Sequence, residues 1–219
     1  MPTDPHREMR QAVVETCRRM NALGVNQGTV GNVSARSGDG FLISPTGVPY
    51  ESLASEQVVA MDLDGGWAGD WRPSSEWRIH AAIYLARPEA GAVIHTHAPN
   101  ATALSCLRRD VPAFHYMMAV TGGASLRCAE YATYGTPELA AHMLRALEDR
   151  TACLLANHGV VGFAPTLEAA LALMAEVENL CRQYILTRQA GEPVILDAAE
   201  MMQVLEIFKT YGRQGEPRS

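Results

Sequence analysis

The chain has 219 residues, of which 47% are apolar and 19% are charged, and its formal net charge is -6 at pH 7. This composition excludes a disordered protein, and the length favours one domain that spans residues 1–219. The acidic balance, with no block of basic residues, argues against a nucleic-acid-binding surface.

The sequence also lacks the marks of export and of membrane insertion. The first ten residues, MPTDPHREMR, contain charges and prolines but not the apolar core of a signal peptide. No apolar run approaches the roughly 18 residues that a membrane-spanning helix requires. The five cysteines are scattered without a CxxC pair, which is typical of a reducing compartment. We therefore expect a cytoplasmic protein without a membrane or nucleic-acid partner.

Helical and strand-like patterns alternate along the first half of the chain. Apolar residues at three-to-four-residue spacing predict a first helix over about residues 6–23. Ser74 or Ser75 is placed to cap a second helix, which runs to about residue 86 and ends before a proline. Strands are predicted at about 32–36, 41–44, 58–63 and 91–97, and the first two form a hairpin.

The second half of the chain is richer in helices. Thr136 and Thr166 are each placed at the N-cap of a helix. A strand over 152–156 ends at the turn Asn157-His158-Gly159. Helices are predicted over about 99–107, 137–147, 167–188 and 197–208. This alternation of elements favours an α/β or α+β fold.

Two histidines lie two residues apart in the apolar strand GAVIHTH. Because strand side chains alternate between faces, His95 and His97 point the same way. His158 follows the strand over 152–156, and it adds a third imidazole if the two strands are neighbours. Three protein ligands with an open fourth position are typical of catalytic zinc. On the residues alone, histidines that are only hydrogen-bonded remain an alternative.

A carboxylate and several turn residues extend this pattern. Glu76 is predicted in the first turn of a helix, where a carboxylate ordinarily compensates the helix dipole. Backbone N–H groups of glycine turns and helix N-termini, together with hydroxyl groups, bind phosphate. Taken singly, ordinary turns and caps explain each of these residues better. The candidate anion-binding residues are Gly28, Asn32, Ser44, Thr46, Gly47, Ser74 and Ser75.

Seven motifs in order, from about residue 8 to residue 212, resemble one known family. They are GTVGNVSAR, LISPTGVPYESL, PSSEWRIHAAIYLARP, AVIHTHAPNATALS, YATYGT, NHGVV and FKTYG. They are similar to the class II aldolase/adducin family, and within it to the bacterial ketose-1-phosphate aldolases. The resemblance implies a single α/β domain with a central, mostly antiparallel sheet flanked by helices. It also implies a homotetramer with active sites between subunits.

The resemblance implies a divalent metal, with zinc first and manganese or cobalt as alternatives. His95, His97 and His158 are its implied ligands. Glu76 is implied to approach the metal in the empty site, to be displaced by substrate and then to act as general acid/base.

Three tyrosines and a phosphate pocket complete the implied site. Tyr116 is the implied proton donor to the aldehyde oxygen and comes from a neighbouring subunit. Tyr211 resembles a tail tyrosine that closes over substrate, and Tyr134 stands at the aldehyde end of the pocket. The implied phosphate-binding residues are Gly28, Asn32, Thr46, Gly47, Ser74 and Ser75.

The implied activity is reversible cleavage of a ketose 1-phosphate, such as L-fuculose 1-phosphate, to dihydroxyacetone phosphate and an aldehyde. A salvage-pathway aldolase acting on 5-deoxyribulose or 5-methylthioribulose 1-phosphate, as in methionine salvage, is the main rival. Met117 and Met118 leave this choice open, because they either make the aldehyde end apolar or pack in the core. A Schiff-base mechanism depends on Lys209, the only lysine, which lies beside no pocket motif.

Three further readings rank lower. A pentulose-phosphate 4-epimerase needs additional acid/base residues that are not evident in the sequence. A non-catalytic scaffold fits poorly because the three histidines and Glu76 are all present. A zinc hydrolase leaves the phosphate pocket unexplained.

Overall fold

The structure, a computed structural model, describes residues 6–210, and its centre is a seven-stranded sheet. The strands are β1 (Asn32–Ser37), β2 (Gly40–Ile43), β3 (Val59–Asp62), β4 (Ala92–Thr96), β5 (Cys128–Ala129), β6 (Ala152–Leu155) and β7 (Gly159–Ala164). Their order across the sheet is β3-β2-β1-β4-β7-β6-β5. Neighbouring strands are antiparallel except for β5 and β6. The predicted α/β fold with a mostly antiparallel sheet is therefore confirmed.

Helices cover both faces of the sheet. In the described range they are α1 (Arg7–Ala22), α2 (Trp77–Ala86), α3 (Pro99–Ser105), α4 (Pro137–Ala146), α5 (Leu167–Ala190) and α6 (Ala198–Phe208). Two 3-10 helices span Ser55–Gln57 and Tyr116–Thr121. Helices α1, α3, α5 and α6 pack in one core, and α2 and α4 pack in the other. Within residues 6–210, no helix combines the length and apolar character needed to span a bilayer.

Alternate residues of β2, β4, β6 and β7 enter the two separate cores. On β4, Ile94 belongs to the core of α1 and α5, whereas Val93 belongs to the core of α2 and α4. Two-residue periodicity therefore turns His95 toward the α2 face, like Val93. The strand pattern thus directs this imidazole toward the start of α2.

Two helix starts, those of α4 and α5, follow the predicted capping, and α6 has a cap that was not predicted. The side chains of Thr136, Thr166 and Asp197 accept hydrogen bonds from backbone N–H groups in the first turns of α4, α5 and α6. The donor–acceptor distances are 3.3, 3.2 and 2.8 Å. Each cap satisfies a donor that the helix itself leaves unpaired.

The predicted cap of α2 is wrong. Glu76, and neither Ser74 nor Ser75, occupies the N-cap position, and its side chain makes no capping hydrogen bond. Ser74 Oγ instead accepts a hydrogen bond from Glu76 N at 3.3 Å, and Ser74 O accepts one from Trp77 N at 3.1 Å. This turn leaves the carboxylate of Glu76 free of a capping role, so that it can point into the protein.

Strand β7 was not predicted, and it changes the expected neighbours. It lies between β4 and β6, so the strands that precede His97 and His158 are not adjacent. His158 lies in the turn that joins β6 to β7. The third histidine therefore approaches the first two from a hairpin turn rather than from an adjacent strand end.

Candidate active site

Four side chains from three separate segments converge at one place. Glu76 lies at the start of α2, His95 near the end of β4, His97 just beyond it and His158 in the β6–β7 turn. Each offers one ligand atom, and these atoms all lie within 4.8 Å of one another. Oε2 of Glu76 is 3.1 Å from Nε2 of His95, and Oε1 is 3.1 Å from Nε2 of His158. The four residues predicted as the metal centre are therefore brought together.

Several of these atoms are buried without a hydrogen-bond partner among the described residues. They are Oε1 of Glu76, Nε2 of His95 and Nε2 of His97. A buried polar atom without a partner costs free energy, and native structures leave few of them. Because these three atoms face one another, a cation at their centre would satisfy all of them. Imidazole and carboxylate ligands suit zinc and other divalent transition metals, so the residues fit the expected ion.

The sheet orients the imidazole of His95. Its Nδ1 donates to the backbone oxygen of Val160 on β7 at 3.0 Å. The neutral ring then carries its lone pair on Nε2, the atom that faces the cluster. A second hydrogen bond of this kind fixes the tautomer and the ring plane of a metal-binding histidine. Strand β7 thus contributes directly to the site through its backbone.

Electrostatics favour neutral His97 and ionised Glu76. Burial, with a smaller effect from the neighbouring imidazoles, lowers the pKa of His97 to about 4. Burial by itself raises the pKa of Glu76, but His95 and His158 lower it by more, so the net pKa lies below its ordinary value. A neutral imidazole and a carboxylate are the forms that bind a metal cation.

Asn32, predicted as a phosphate ligand, is buried beside Glu76. Its Nδ2 donates to Oε2 of Glu76 at 3.2 Å, and its Oδ1 accepts from Nε2 of His80 at 2.5 Å. His80 was missed by the sequence reasoning. The signal was available, because His80 follows Glu76 by four residues and therefore lies on the same face of α2.

Thr46, Gly47, Ser74 and Ser75 of the predicted phosphate-binding set lie in loops around the start of α2. Ser74 N donates to Ser44 O at 3.1 Å, and Thr46 N donates to Arg72 O at 3.1 Å. These bonds place the turn at Thr46 and Gly47 beside the segment that leads into α2. Gly47 has φ of +69°, in the left-handed region that favours glycine.

Four of the predicted phosphate-binding residues, Gly28, Thr46, Gly47 and Ser75, are exposed. Gly28, with φ of +63°, lies in the loop before β1. Its carbonyl accepts from the side chains of Asn21 and Asn26 at 3.4 Å. The role of the whole set in binding phosphate stays a prediction.

The predicted tyrosines lie apart from the cluster. Tyr116 is 47% exposed on a 3-10 helix that packs against α5 and α6, and Tyr134 is 65% exposed in the loop before α4. The ring of Tyr116 contacts that of His115, and within residues 6–210 no ring contact joins Tyr116 or Tyr134 to His95, His97 or His158. Tyr211 lies outside the described residues.

Met118 is 1% exposed in the core of α1 and α5, and Met117 packs against that core, which favours a packing role for both.

A second unpredicted feature holds the turn that carries His158. Asn157 has φ of +53°, and its Oδ1 accepts from Nε of Arg108 at 2.6 Å. Asn157 N donates to Ser105 O at 3.1 Å. The guanidinium of Arg108 also lies 5.3 Å from the ring centroid of Tyr131. The end of α3 therefore anchors the residue next to His158.

Comparison with known proteins gives concordant matches. Residues 11–185 match the family model described as "Class II Aldolase and Adducin N-terminal domain". The chain is 50% identical over 204 residues to a 5-methylthioribulose-1-phosphate/5-deoxyribulose-1-phosphate aldolase of Rhodospirillum rubrum, covering 93% of this chain and 92% of that protein. It is 48% identical over 206 residues to the L-fuculose phosphate aldolase of Escherichia coli, covering 94% and 96%. A solved structure of an L-fuculose 1-phosphate aldolase superposes with a TM-score of 0.90 at 38% identity, covering 94% of this chain and 100% of the other.

Proposed function

The chain belongs to the class II aldolase and adducin family and is a class II aldolase, and we propose that it cleaves a ketose 1-phosphate reversibly to dihydroxyacetone phosphate and an aldehyde. The observation that carries this proposal is the cluster of Glu76 with three imidazoles, whose unpaired atoms face one another. Relatives named for ketose 1-phosphates, matched over more than nine-tenths of their length, support the substrate class.

The proposed metal ligands are His95, His97 and His158. Zinc is the proposed ion, with manganese or cobalt as alternatives, because affinity alone does not select among them at a site of imidazoles and a carboxylate. A divalent ion there supplies Lewis-acid stabilisation of the negative charge that develops on the ketose oxygens.

Two side chains are proposed to move protons. In the direction of synthesis, Glu76 removes the proton from the carbon of dihydroxyacetone phosphate that becomes C3. That carbon then forms the C3–C4 bond, and Tyr116 donates a proton to the aldehyde oxygen, which becomes the C4 hydroxyl group. The position of the Glu76 carboxylate beside the three imidazoles supports the first step, because a carboxylate can accept a proton. Cleavage is the reverse sequence.

The turns around the start of α2 are proposed to bind the phosphate group. Their backbone N–H groups and hydroxyls bind an anion far from the reacting bond, which orients the substrate at the cluster. Asn32 differs from the others because its amide already donates to Glu76. Its amide nitrogen carries a second hydrogen, which is the proposed donor to phosphate. The proposed residues are Gly28, Asn32, Thr46, Gly47, Ser74 and Ser75.

The aldehyde half of the substrate has two candidates. An L-fuculose 1-phosphate-like ketose is supported by the Escherichia coli relative and by the superposed structure. A 5-deoxyribulose or 5-methylthioribulose 1-phosphate is supported by the Rhodospirillum rubrum relative, at a similar identity. Tyr134 is proposed to line this end of the pocket, and Tyr211 to close over it.

We propose a cytoplasmic homotetramer in which Tyr116 completes the site of a neighbouring subunit. The exposure of Tyr116 and its separation from the cluster within one chain support this arrangement. Mixing Tyr116→Phe and Glu76→Gln subunits tests it, because a mixed oligomer contains sites in which both residues are intact. Activity of the mixture above that of either variant is expected. Activity no higher than the two separate variants contradicts the shared site.

The substrate is tested by a panel of ketose 1-phosphates, with release of dihydroxyacetone phosphate as the readout. The panel contains the 1-phosphates of fuculose, rhamnulose, ribulose, 5-deoxyribulose and methylthioribulose, each with chelator or with added zinc. Release that chelator abolishes and zinc restores is expected, and the ranking of kcat/KM identifies the aldehyde half. Absence of release from every member, with metal bound, contradicts the proposal and favours an epimerase.

A further inference from the structure

A row of buried polar side chains continues from Glu76 along α2. His80 and Tyr84 follow Glu76 at intervals of four residues, so the three side chains share one helix face. Asn32 and Ser34 lie two residues apart on β1 and face this row. Four helical residues rise about 6 Å and two strand residues about 6.6 Å, so the two rows stay in step. The match allows each strand side chain to lie between two helix side chains.

These five side chains form a continuous series of hydrogen bonds. Tyr84 Oη lies 2.8 Å from Ser34 Oγ, which lies 2.7 Å from His80 Nδ1. His80 Nε2 lies 2.5 Å from Asn32 Oδ1, and Asn32 Nδ2 lies 3.2 Å from Glu76 Oε2. None of the five residues is more than 5% exposed. The series is therefore closed to bulk water along its length.

The chemistry of its two ends fixes the direction of every bond. A carboxylate can only accept, so Asn32 must present its amide nitrogen to Glu76. The amide oxygen of Asn32 then faces His80, whose Nε2 must carry the hydrogen. The neutral imidazole keeps a lone pair on Nδ1, which accepts from Ser34, and Ser34 in turn accepts from the Tyr84 hydroxyl.

The protonation states agree with this direction. Burial, with a smaller effect from His95, lowers the pKa of His80 to about 3. Burial raises the pKa of the Tyr84 hydroxyl, so the phenol keeps its proton. His80 is therefore a neutral imidazole with one donor and one acceptor, and Tyr84 is the donor at the far end.

We infer that His80 is a positioning residue for Glu76 and acts through Asn32. A flipped Asn32 amide would place two oxygen atoms against each other at Oε2 of Glu76. The Nε2–H group of His80 opposes this flip, because it needs the amide oxygen as its acceptor. Asn32 therefore keeps its donor on Glu76 and holds the carboxylate beside His95. This inference rests on the proposed role of Glu76 as the acid/base group, although His80 itself touches neither substrate nor metal ligands.

Two substitutions distinguish the hydrogen-bonding role of the His80 side chain from the contribution of its volume to packing. His80→Gln keeps a neutral N–H donor that reaches toward Asn32, whereas His80→Leu removes the donor at similar volume. His80→Leu leaves the buried amide oxygen of Asn32 without its donor, so kcat is expected to fall by about 10- to 100-fold. His80→Gln is expected to recover most of this loss. Leu85→Gln, on the exposed side of the same helix, is the matched control.

Two readouts do not depend on turnover. Zinc content per chain is expected to stay at the wild-type level in both His80 variants, because the metal ligands are unchanged. Solid-state ¹⁵N NMR of protein labelled at histidine reports the tautomer directly, and the signal that His80→Gln removes identifies His80. The expected form of His80 in the wild-type protein is neutral with the proton on Nε2.

The outcomes separate this inference from the proposed function. If the wild-type protein cleaves a ketose 1-phosphate and His80→Leu keeps the wild-type kcat, the inference fails alone. A proton on Nδ1, or a charged ring at neutral pH, also overturns it. If the wild-type protein cleaves no ketose 1-phosphate while His80 shows the Nε2–H form, the proposed function fails and the hydrogen-bond series stands. Equal losses of kcat in the Gln and Leu variants also contradict the inference, because they indicate a role in packing only.

Discussion

Asn32 and His95 are cross-strand partners on β1 and β4, and their side chains reach the same oxygen of Glu76. Asn32 Nδ2 lies 3.2 Å from Oε2, and His95 Nε2 lies 3.1 Å from it. One antiparallel register therefore fixes both contacts. A slip of β1 against β4 by one residue would turn the slipped strand's side chains to the opposite face. The position of Glu76, the proposed acid/base group, thus depends on sheet pairing as well as on α2.

The His97→Ala variant tests the metal centre with the least damage to the sheet, because His97 lies beyond the end of β4. It is expected to lose tightly bound zinc. Its affinity for zinc should fall by more than the about 10- to 100-fold that substitutions of residues beside a metal ligand cause. Zinc per chain, measured by mass spectrometry, and release of dihydroxyacetone phosphate are the readouts. His142→Ala on α4 is the control. Full zinc content and activity in His97→Ala would contradict the assignment.

Removal of the metal is expected to destabilise the native protein. A ligand present at 100 times its dissociation constant stabilises the state that binds it by about 2.7 kcal/mol. For a chain of this size, that corresponds to a fall in Tm of about 5–11 °C on chelation. Calorimetry with and without chelator measures the change. The His97→Ala variant should show a much smaller shift, and an equal shift there would indicate that the chelator acts elsewhere.

Burial of His80 predicts that stability of the chelator-treated protein falls as the solution becomes acidic. The pKa of His80 is about 3 in the native state, against an ordinary value of 6.5. Between these values the unfolded chain binds more protons than the native one. Native stability is therefore fully present above about pH 6.5 and falls by at most about 1.4 kcal/mol per pH unit below it. Urea unfolding at pH 7 and pH 5 measures this loss, which should be smaller in His80→Gln.

The left-handed backbone of Asn157 predicts different results for two small substitutions. Asn157→Gly and Asn157→Ala both lose the hydrogen bond from Arg108, but only alanine is strained at φ of +53°. The strain makes the alanine variant less stable than the glycine variant by about 1–2 kcal/mol. The greater entropy of glycine in the unfolded chain offsets part of this difference. Thermal unfolding measures the difference. Zinc affinity of both variants should fall, because the turn that carries His158 loses its anchor. Wild-type affinity in both would contradict that anchoring role.

The cap of α5 predicts a change in stability without a change in chemistry. Thr166→Ala removes the acceptor for an N–H group in the first turn of α5 and should cost about 1 kcal/mol. Thr187→Ala, near the other end of the same helix, should be neutral or slightly stabilising because alanine is the better helix former. Urea unfolding compares the two variants. A fall in kcat for Thr166→Ala at full zinc content would contradict a purely structural role.

Local patterns in the sequence predicted much of the fold and the cluster. The two-residue period of a strand placed His95 and His97 on one side, and threonines before α4 and α5 predicted the caps that the structure contains. These relationships depend on neighbours in the chain, so residue types and spacing carry them. The turn after the strand over 152–156 offered His158 as a third imidazole, and the family resemblance implied the metal-binding role of His158 and the acid/base role of Glu76.

Features that depend on distant pairing were missed. Strand β7 directly follows a turn, and its pairing with β4 and β6 reveals its place in the sheet. The sequence pattern places Asn32 in a glycine-rich turn, whereas the register of β1 with β4 buries its side chain against Glu76. His80 gains its partners from β1, more than forty residues earlier in the chain. The cap of α2 was misplaced because Ser74 forms a turn before the helix.

The position of β7 between β4 and β6 has a kinetic consequence. The histidines reach one another only after the β4–β7 ladder has formed, and Glu76 joins them only when α2 has packed on the sheet. Such long-range pairing forms slowly, so the metal centre is complete only at a late stage of folding. An ion that binds after the transition state stabilises the native state without speeding its formation. We therefore expect zinc to lower the unfolding rate while leaving the folding rate almost unchanged. The metal would then lengthen the lifetime of the native state without accelerating its formation.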